Sequence, residues 1–174
     1  MNCPNGSQRF VADLCPACGL CCNGALFADV ELSRKDAPDA LQSSGLTLQR
    51  KRGKLAFIQP CACFDGQLCQ IYAQRPTRCR TFVCGTLHRV QDGTLTAAAA
   101  LKLIRQTRAQ VQVVLDLLRA LGDTAEELPL SRRYSRLMAE PIDLGGDEDR
   151  VETRARLMLE VARLMKRLQQ DFLA

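Results

Sequence analysis

The second half of the chain carries its apolar residues at helical spacing. Between Ala97 and Leu121 they recur at Ala100, Ile104, Val111, Leu115 and Leu118, while Lys102, Arg105, Gln112, Asp116 and Arg119 fall on the opposite face. That period predicts an amphipathic helix, closed by Gly122 as its C-terminal stop. A second long helix is predicted from about Arg150 to Phe172, with Val151, Ala155, Met158, Ala162, Met165 and Leu168 as its apolar stripe. Acidic Asp147, Glu148 and Asp149 precede it and Lys166-Arg167 lie near its end, both in the sense that the helix dipole favours. Between the two, Ser131 to Glu140 reads as a short helix that stops before Pro141. Neither long helix buries its stripe alone, so they are expected to pack on each other and on the first half of the chain. The alternative use of such a face is to bind a protein partner through these C-terminal helices or to dimerise.

The first half has shorter periods. Leu46, Leu48, Leu55 and Phe57 alternate with polar or basic neighbours around Lys51-Arg52-Gly53, which predicts a two-stranded hairpin within Leu46 to Gln59. Ser33-Arg34-Lys35-Asp36 has the form of a capping box with Asp in the last place, so a short helix is expected to start there. Gly145-Gly146 beside Asp147 reads as a loop before a helix. The expected fold is mainly α, with a small irregular, cysteine-ligated metal module containing a β-hairpin, and with two long C-terminal helices.

Cysteine usage divides the chain more sharply than periodicity does. All ten cysteines lie between Cys3 and Cys84 and none follows. The reading is therefore a cysteine-cluster module over residues 1–93 and a helical part over 94–174 that packs on it. Met1 to Gly6 is polar, with no basic start followed by an apolar run, and no stretch approaches the roughly 18 apolar residues of a membrane span. A cytoplasmic location and no membrane contact are expected on those grounds, and in a reducing compartment clustered cysteines hold metal more often than they pair with one another. The formal charge of +5 suggests nucleic acid at first sight. Eight thiolates around two divalent ions would bring it to about +1, and Arg132-Arg133 and Arg154 to Arg156 read as solvated faces without the aromatic platforms that base stacking uses. Nucleic acid is therefore not an expected partner; a metal ion is.

The spacing Cys15-Pro16-Ala17-Cys18-Gly19-Leu20-Cys21-Cys22 carries the chemistry, followed by Cys61, Cys63, Cys69, Cys79 and Cys84. Two residues between cysteines let a tight turn aim both sulfurs at one ion at about 2.3 Å, and Gly19 suits such a turn because it takes positive φ without steric conflict. Four contiguous sulfurs do not fold onto one ion, because adjacent side chains diverge. Cys21 and Cys22 are thus expected to serve different sites, or one of them none, with Cys61, Cys69, Cys79 and Cys84 completing the coordination. Cys15, Cys18 and Cys21 repeat the CxxCxxC of bacterial ferredoxins, but the fourth cysteine before a proline is missing, so spacing alone leaves zinc, iron and an iron–sulfur cluster open. Pro76 reads as a first helical residue, placing Thr77, Arg78 and Cys79 in an opening turn where the dipole, Arg78 and Arg80 would favour a thiolate.

The run CxxCxxCC from Cys15 to Cys22, then Cys61, then the string from Cys69 through Ile71-Tyr72, Arg75-Pro76 and Cys79-Arg80 to Cys84, resembles a zinc- or iron-chelating cysteine-cluster family of bacteria. The resemblance covers about seventy residues. It implies metal-ligand roles for Cys15, Cys18, Cys21, Cys22, Cys61, Cys69, Cys79 and Cys84, with zinc or iron as cofactor. The implied role is structural, metal handling or redox sensing. The family includes flagellin lysine methylases, so an iron–sulfur enzyme stays open beside a zinc-stabilised interaction adaptor. Cys63 departs from the family pattern and Cys3 lies outside it; both are expected to be spare thiols. Tyr72 and Arg75 belong to the shared string and read as structural, Tyr72 packed with its hydroxyl satisfied and Arg75 offsetting thiolate charge. His88, four residues after Cys84, is the one histidine and is expected at the surface rather than on the metal. A lone histidine supports no catalytic triad, and no phosphate-binding loop is present.

Overall fold

The computed structural model describes residues 14–141 and 147–173; Cys3 and Gly145-Gly146, with the readings attached to them, lie outside that range. The order is a helical turn at 14–18, β1 (Asp29–Glu31), α1 (Pro38–Ser43), β2 (Leu48–Lys51), β3 (Lys54–Ile58), a 3-10 turn (Tyr72–Gln74), α2 (Thr77–Thr81), α3 (Gly85–Gln91), α4 (Ala97–Ala120), α5 (Leu130–Ala139), α6 (Glu148–Leu168) and a closing π turn (Gln169–Leu173). The architecture is mainly helical with one small antiparallel sheet.

The predicted hairpin forms, with Arg52 at φ 50° and Gly53 at φ 80° as its two-residue turn. A third strand, β1, pairs with the far edge of β3, giving the order β1-β3-β2. Val30, Phe57 and Leu48 come side by side in that register and supply the apolar face of a small core with Leu41, Leu46, Cys61, Cys63 and Ile71. Three residues of β1 are too few for a sequence period to show, which is why the strand was not expected. The helix expected at Ser33 begins instead at Pro38. Ala37 precedes a proline and is held extended at φ −99°, ψ 96°, so a helix cannot run through it from Ser33. Ser33 to Asp36 keeps half of the capping box: the Asp36 carboxylate accepts the Ser33 N–H at 2.7 Å.

In the helical half, α4 buries Ala100, Ile104, Thr107, Val111, Val114, Leu117 and Leu118 against α6. It ends in a Schellman motif: Gly122 N–H donates to the Arg119 carbonyl at 2.9 Å and Asp123 N–H to that of Leu118 at 3.0 Å, with Gly122 at φ 91°. The expected stripe of α6 is displaced. Arg154, Leu157, Leu164, Leu168 and Phe172 are buried, whereas Ala155, Met158, Ala162 and Met165 face outward. Both lines are apolar enough to be the core face, and Leu157 and Leu164 fill the space beside α4 where the line of Met158 would not reach.

Two arginines expected on solvated faces are buried. Arg133 Nε donates to the Asp123 carboxylate at 2.6 Å, and Arg154 donates to the Met138 and Glu140 carbonyls at 3.1 and 2.7 Å. Arg154 thereby closes the C-terminus of α5, whose last carbonyls have no intrahelical donor. The turn at 14–18 and Leu20 are part of this helical core: Leu14 and Leu20 pack with Leu87, Val90 and the α4 and α6 residues. The chain stays against the helical core as far as Ala25 and Leu26 and enters the sheet at Asp29. Among the described residues no helix is long and apolar enough to cross a membrane.

Candidate metal centre

The first cysteines are set by a turn that only glycine fits. Gly19 sits at φ 65°, accepts the N–H groups of Cys22 and Asn23 at 2.9 Å, and donates to the Cys15 carbonyl at 3.1 Å. A Cβ there would lie 2.6 Å from the Phe64 ring, so position 19 excludes a side chain on both backbone and packing grounds. Directly after this turn the backbone pairs across the module: Cys61 N–H donates to the Cys22 carbonyl at 2.8 Å. Cys69 is placed by Asp65, whose carboxylate accepts Gln67 N–H, Leu68 N–H and Gln70 Nε2 at 2.8, 2.7 and 2.6 Å. Those bonds hold the carboxyl below its usual range and tighten a loop in which Phe64 bridges to Cys69.

Pro76 is the residue before α2 rather than its first, with Thr77 to Cys79 forming the opening turn. The unpaired Thr77 N–H at the head of this helix is met from forty residues away. The Asp36 carboxylate accepts both Thr77 N–H and Thr77 Oγ1–H at 2.7 Å. Cys84 stands immediately before α3, and its Sγ accepts Leu87 N–H at 3.5 Å.

Seven of the eight cysteines pack against one or other of the two cores, and the eighth, Cys21, couples most to Cys18 and Cys84. Cys15, Cys18 and Cys84 pack against the helical core, and Cys21 lies within electrostatic reach of all three. Cys22, Cys61, Cys69 and Cys79 pack against the core of the sheet, where Cys22 is coupled to Cys69 and Cys79, and Cys61 to Cys22 and Cys69. The two groups meet at the adjacent residues Cys21 and Cys22, and coupling crosses between them, from Cys21 to Cys22 and from Cys22 to Cys15. A cavity of about 820 Å3 reaches seven of the eight, all but Cys61, and its walls include Phe27, Phe64, Tyr72 and Phe82. Phe27 and Phe82 meet edge to face, with ring centres 5.0 Å apart.

All nine cysteines of the described residues are free thiols. Burial pushes Cys18, Cys22, Cys61 and Cys79 up to about 12, and it raises Cys15, Cys21 and Cys84 as well. Neighbouring thiols add to the rise at Cys15, Cys18, Cys21, Cys22, Cys61 and Cys79, so these groups favour the neutral thiol until a cation offsets the charge. Arg75 acts on both sets and lowers Cys15, Cys22 and Cys79. Arg78 pairs with Glu31 at 3.5 Å instead, and Arg80 is exposed. Arg75 lies 3.5 Å over the Tyr72 ring and donates its Nε–H to the Tyr72 carbonyl, so Tyr72 is a half-exposed platform for the arginine and not a packed core residue.

Two further candidate groups are Cys63 and His88. Cys63 is buried in the core of the sheet with Cys61, is coupled to Cys61 and Cys69, and donates its thiol to the Ser44 carbonyl at 3.2 Å. His88 projects into solvent and pairs with Asp92 at 3.4 Å. Among the described residues no three Cys, His, Asp or Glu side chains stand at the spacing one ion requires. The donor chemistry fits the groups that soft thiolates select, zinc or iron–sulfur.

Comparison with known proteins bears on the same stretch. Residues 14–99 match the model of the CxxCxxCC family, described as "Putative zinc- or iron-chelating domain". Residues 14–99 belong to this family. The match begins one residue before the first cysteine of the sets and ends in the first turn of α4, so it spans both sets together with the sheet. Chelation of zinc or iron is the role that description gives the family. No curated protein and no solved structure matches the chain.

Sequence reasoning did not find Asp36 as the group that holds the head of α2, nor Phe64 as the reason for Gly19. The Ser33-x-x-Asp36 spacing did signal a cap, but it gave no sign that the capped helix lies forty residues away.

Proposed function

We propose that the protein holds two metal centres, each in four thiolates, one at Cys15, Cys18, Cys21 and Cys84 and the other at Cys22, Cys61, Cys69 and Cys79. The observation that supports this reading is the packing of seven of the eight cysteines on two different cores, three on the helical one and four on that of the sheet, with Cys21 coupled most to Cys18 and Cys84. One centre fastens the N-terminal turn to the head of α3 and the helical core. The other closes the sheet against α2. The centres are structural first, since each joins segments more than forty residues apart in sequence, and their thiolates also suit metal handling or redox sensing. Nine free thiols suit a reducing compartment, and the reading places the protein in the cytoplasm.

A second reading concerns the kind of centre. The cavity leaves more room beside the thiols than two bare ions fill, which favours an iron–sulfur cluster in at least one set and leaves space for a substrate next to it. An iron–sulfur enzyme is the form that reading takes.

The test is elemental analysis and a visible spectrum of protein purified without oxygen, for the parent chain and for Cys21→Ser, Cys22→Ser and their combination. Each single variant should lose about half of the metal, and the double variant nearly all of it. Loss of the same half by both single variants would place the adjacent cysteines on one centre and end the two-centre reading. Zinc without colour would decide for isolated ions, and iron with matching sulfide for clusters.

A further inference from the structure

The line of α6 residues that the core does not use is itself a surface. Successive residues turn by roughly 100°, so Val151, Ala155, Met158, Ala162 and Met165 share one face, about a quarter-turn from the buried line of Leu157, Leu164 and Leu168. Met158 and Met165 are 49% and 56% exposed, and neighbouring Leu159 is 60% exposed. Three large apolar side chains in open water along one helix are more than scattered surface residues.

The charges beside this face decide what fits it. On its solvent flank the N-terminal half presents Glu148 and Glu152, and the C-terminal half presents Arg163 and Lys166. All four are exposed, and among the described residues only Arg163 has a carboxylate partner, Glu160 at 2.7 Å. A helix that is acidic at one end and basic at the other is complementary to a copy of itself running the opposite way. With a twofold axis at Met158, Val151 comes opposite Met165, Glu148 near Lys166 and Glu152 near Arg163, and every contact occurs twice, as an isologous interface requires.

We propose that α6 is the contact of a homodimer, in which two copies pair antiparallel through the Met158 stripe. The contact is separate from the thiol sets, so it stands whatever metal they hold.

Sedimentation equilibrium of the full, metal-loaded chain over about 5 to 200 μM tests it, with metal content and circular dichroism recorded for each variant. The parent should show a monomer–dimer equilibrium. Met158→Glu sets two carboxylates against each other on the axis and should weaken association by at least about tenfold. Glu148→Lys and Lys166→Glu should each weaken it by about three- to tenfold, and the two together should restore it to within about twofold of the parent. These positions are exposed in the monomer, so helix content and metal content should not change. A chain monomeric throughout the range overturns the proposal, as does a dimer indifferent to Met158→Glu or a double charge swap no better than the single ones.

Discussion

The helical half and the cysteine half of this protein are held by different forces. The larger core gathers seventeen buried apolar residues along α4, α6 and the turns that cover them, while the core of the sheet has seven, two of them cysteines. Burial of a leucine or phenylalanine contributes about 1.5–3 kcal/mol, so the first is a conventional core and the second is too small to order its loops alone. Residues 59–71 make few ladder hydrogen bonds and are organised by Asp65, Cys61 and single backbone contacts. Where apolar area is short, cross-links must supply the order, and the thiols lie at the places where such links would act.

Metal removal should therefore separate the two halves, and its effect is the largest expected. Zinc-type centres couple on the order of 10–16 kcal/mol to folding. A chelator under reducing conditions should abolish hydrogen-exchange protection in β1 to β3 and α2, while α4 and α6 stay protected and most of the helical circular dichroism remains. Equal loss of protection in both halves would show that the cores fold as one unit, and an unchanged exchange pattern would show that the sheet needs no metal.

The reciprocal experiment is smaller in energy. Leu164 is almost wholly buried between α6 and α4. Leu164→Ala should lower unfolding stability by about 2–5 kcal/mol, measured by urea titration of the metal-loaded protein, with metal content unchanged. Metal lost in proportion to that destabilisation would break the contrast between the halves, because it would make the centres dependent on the helical core.

The same contrast governs what could be read from sequence. The helices of the second half follow from their period, and α4, α5 and the Gly122 stop lie where the pattern puts them. For α6 the pattern reads as the line of Met158, and the structure buries the adjacent line of Leu157 and Leu164, since the choice depends on which line meets α4. Fixed Cys spacing made the cluster visible and made the divergence of Cys21 from Cys22 arguable, but which later cysteine joins which set depends on the path of the chain between Leu20 and β1. Arg133 and Arg154 looked like surface charges because sequence does not show a buried carboxylate or an open helix end. Asp36 looked local because capping boxes usually are.

Asp36 supplies the finest test of how the cysteine half is assembled. Its carboxylate joins the 33–37 turn to the head of α2, two residues before Cys79, through three hydrogen bonds of 2.7 Å. Burial works against the charge, but the bonds from Thr77 and Ser33 outweigh it and hold the carboxyl below its usual 3.8. A lowered folded value means the stabilisation is fully present above about 3.8 and is lost only as pH falls through the lower value. Asp36→Ala should thus lower the stability of the metal-loaded protein by about 1–3 kcal/mol, and by the same amount at about pH 7 and about pH 5. Any loss that both proteins share between those two pH values then does not come from Asp36, and protons competing for the thiolates are its expected source. Urea midpoints of the two proteins at both pH values separate the contributions. A difference that shrinks by pH 5 would mean that Asp36 acts through the charge of the Cys79 set and not through the bonds that hold α2.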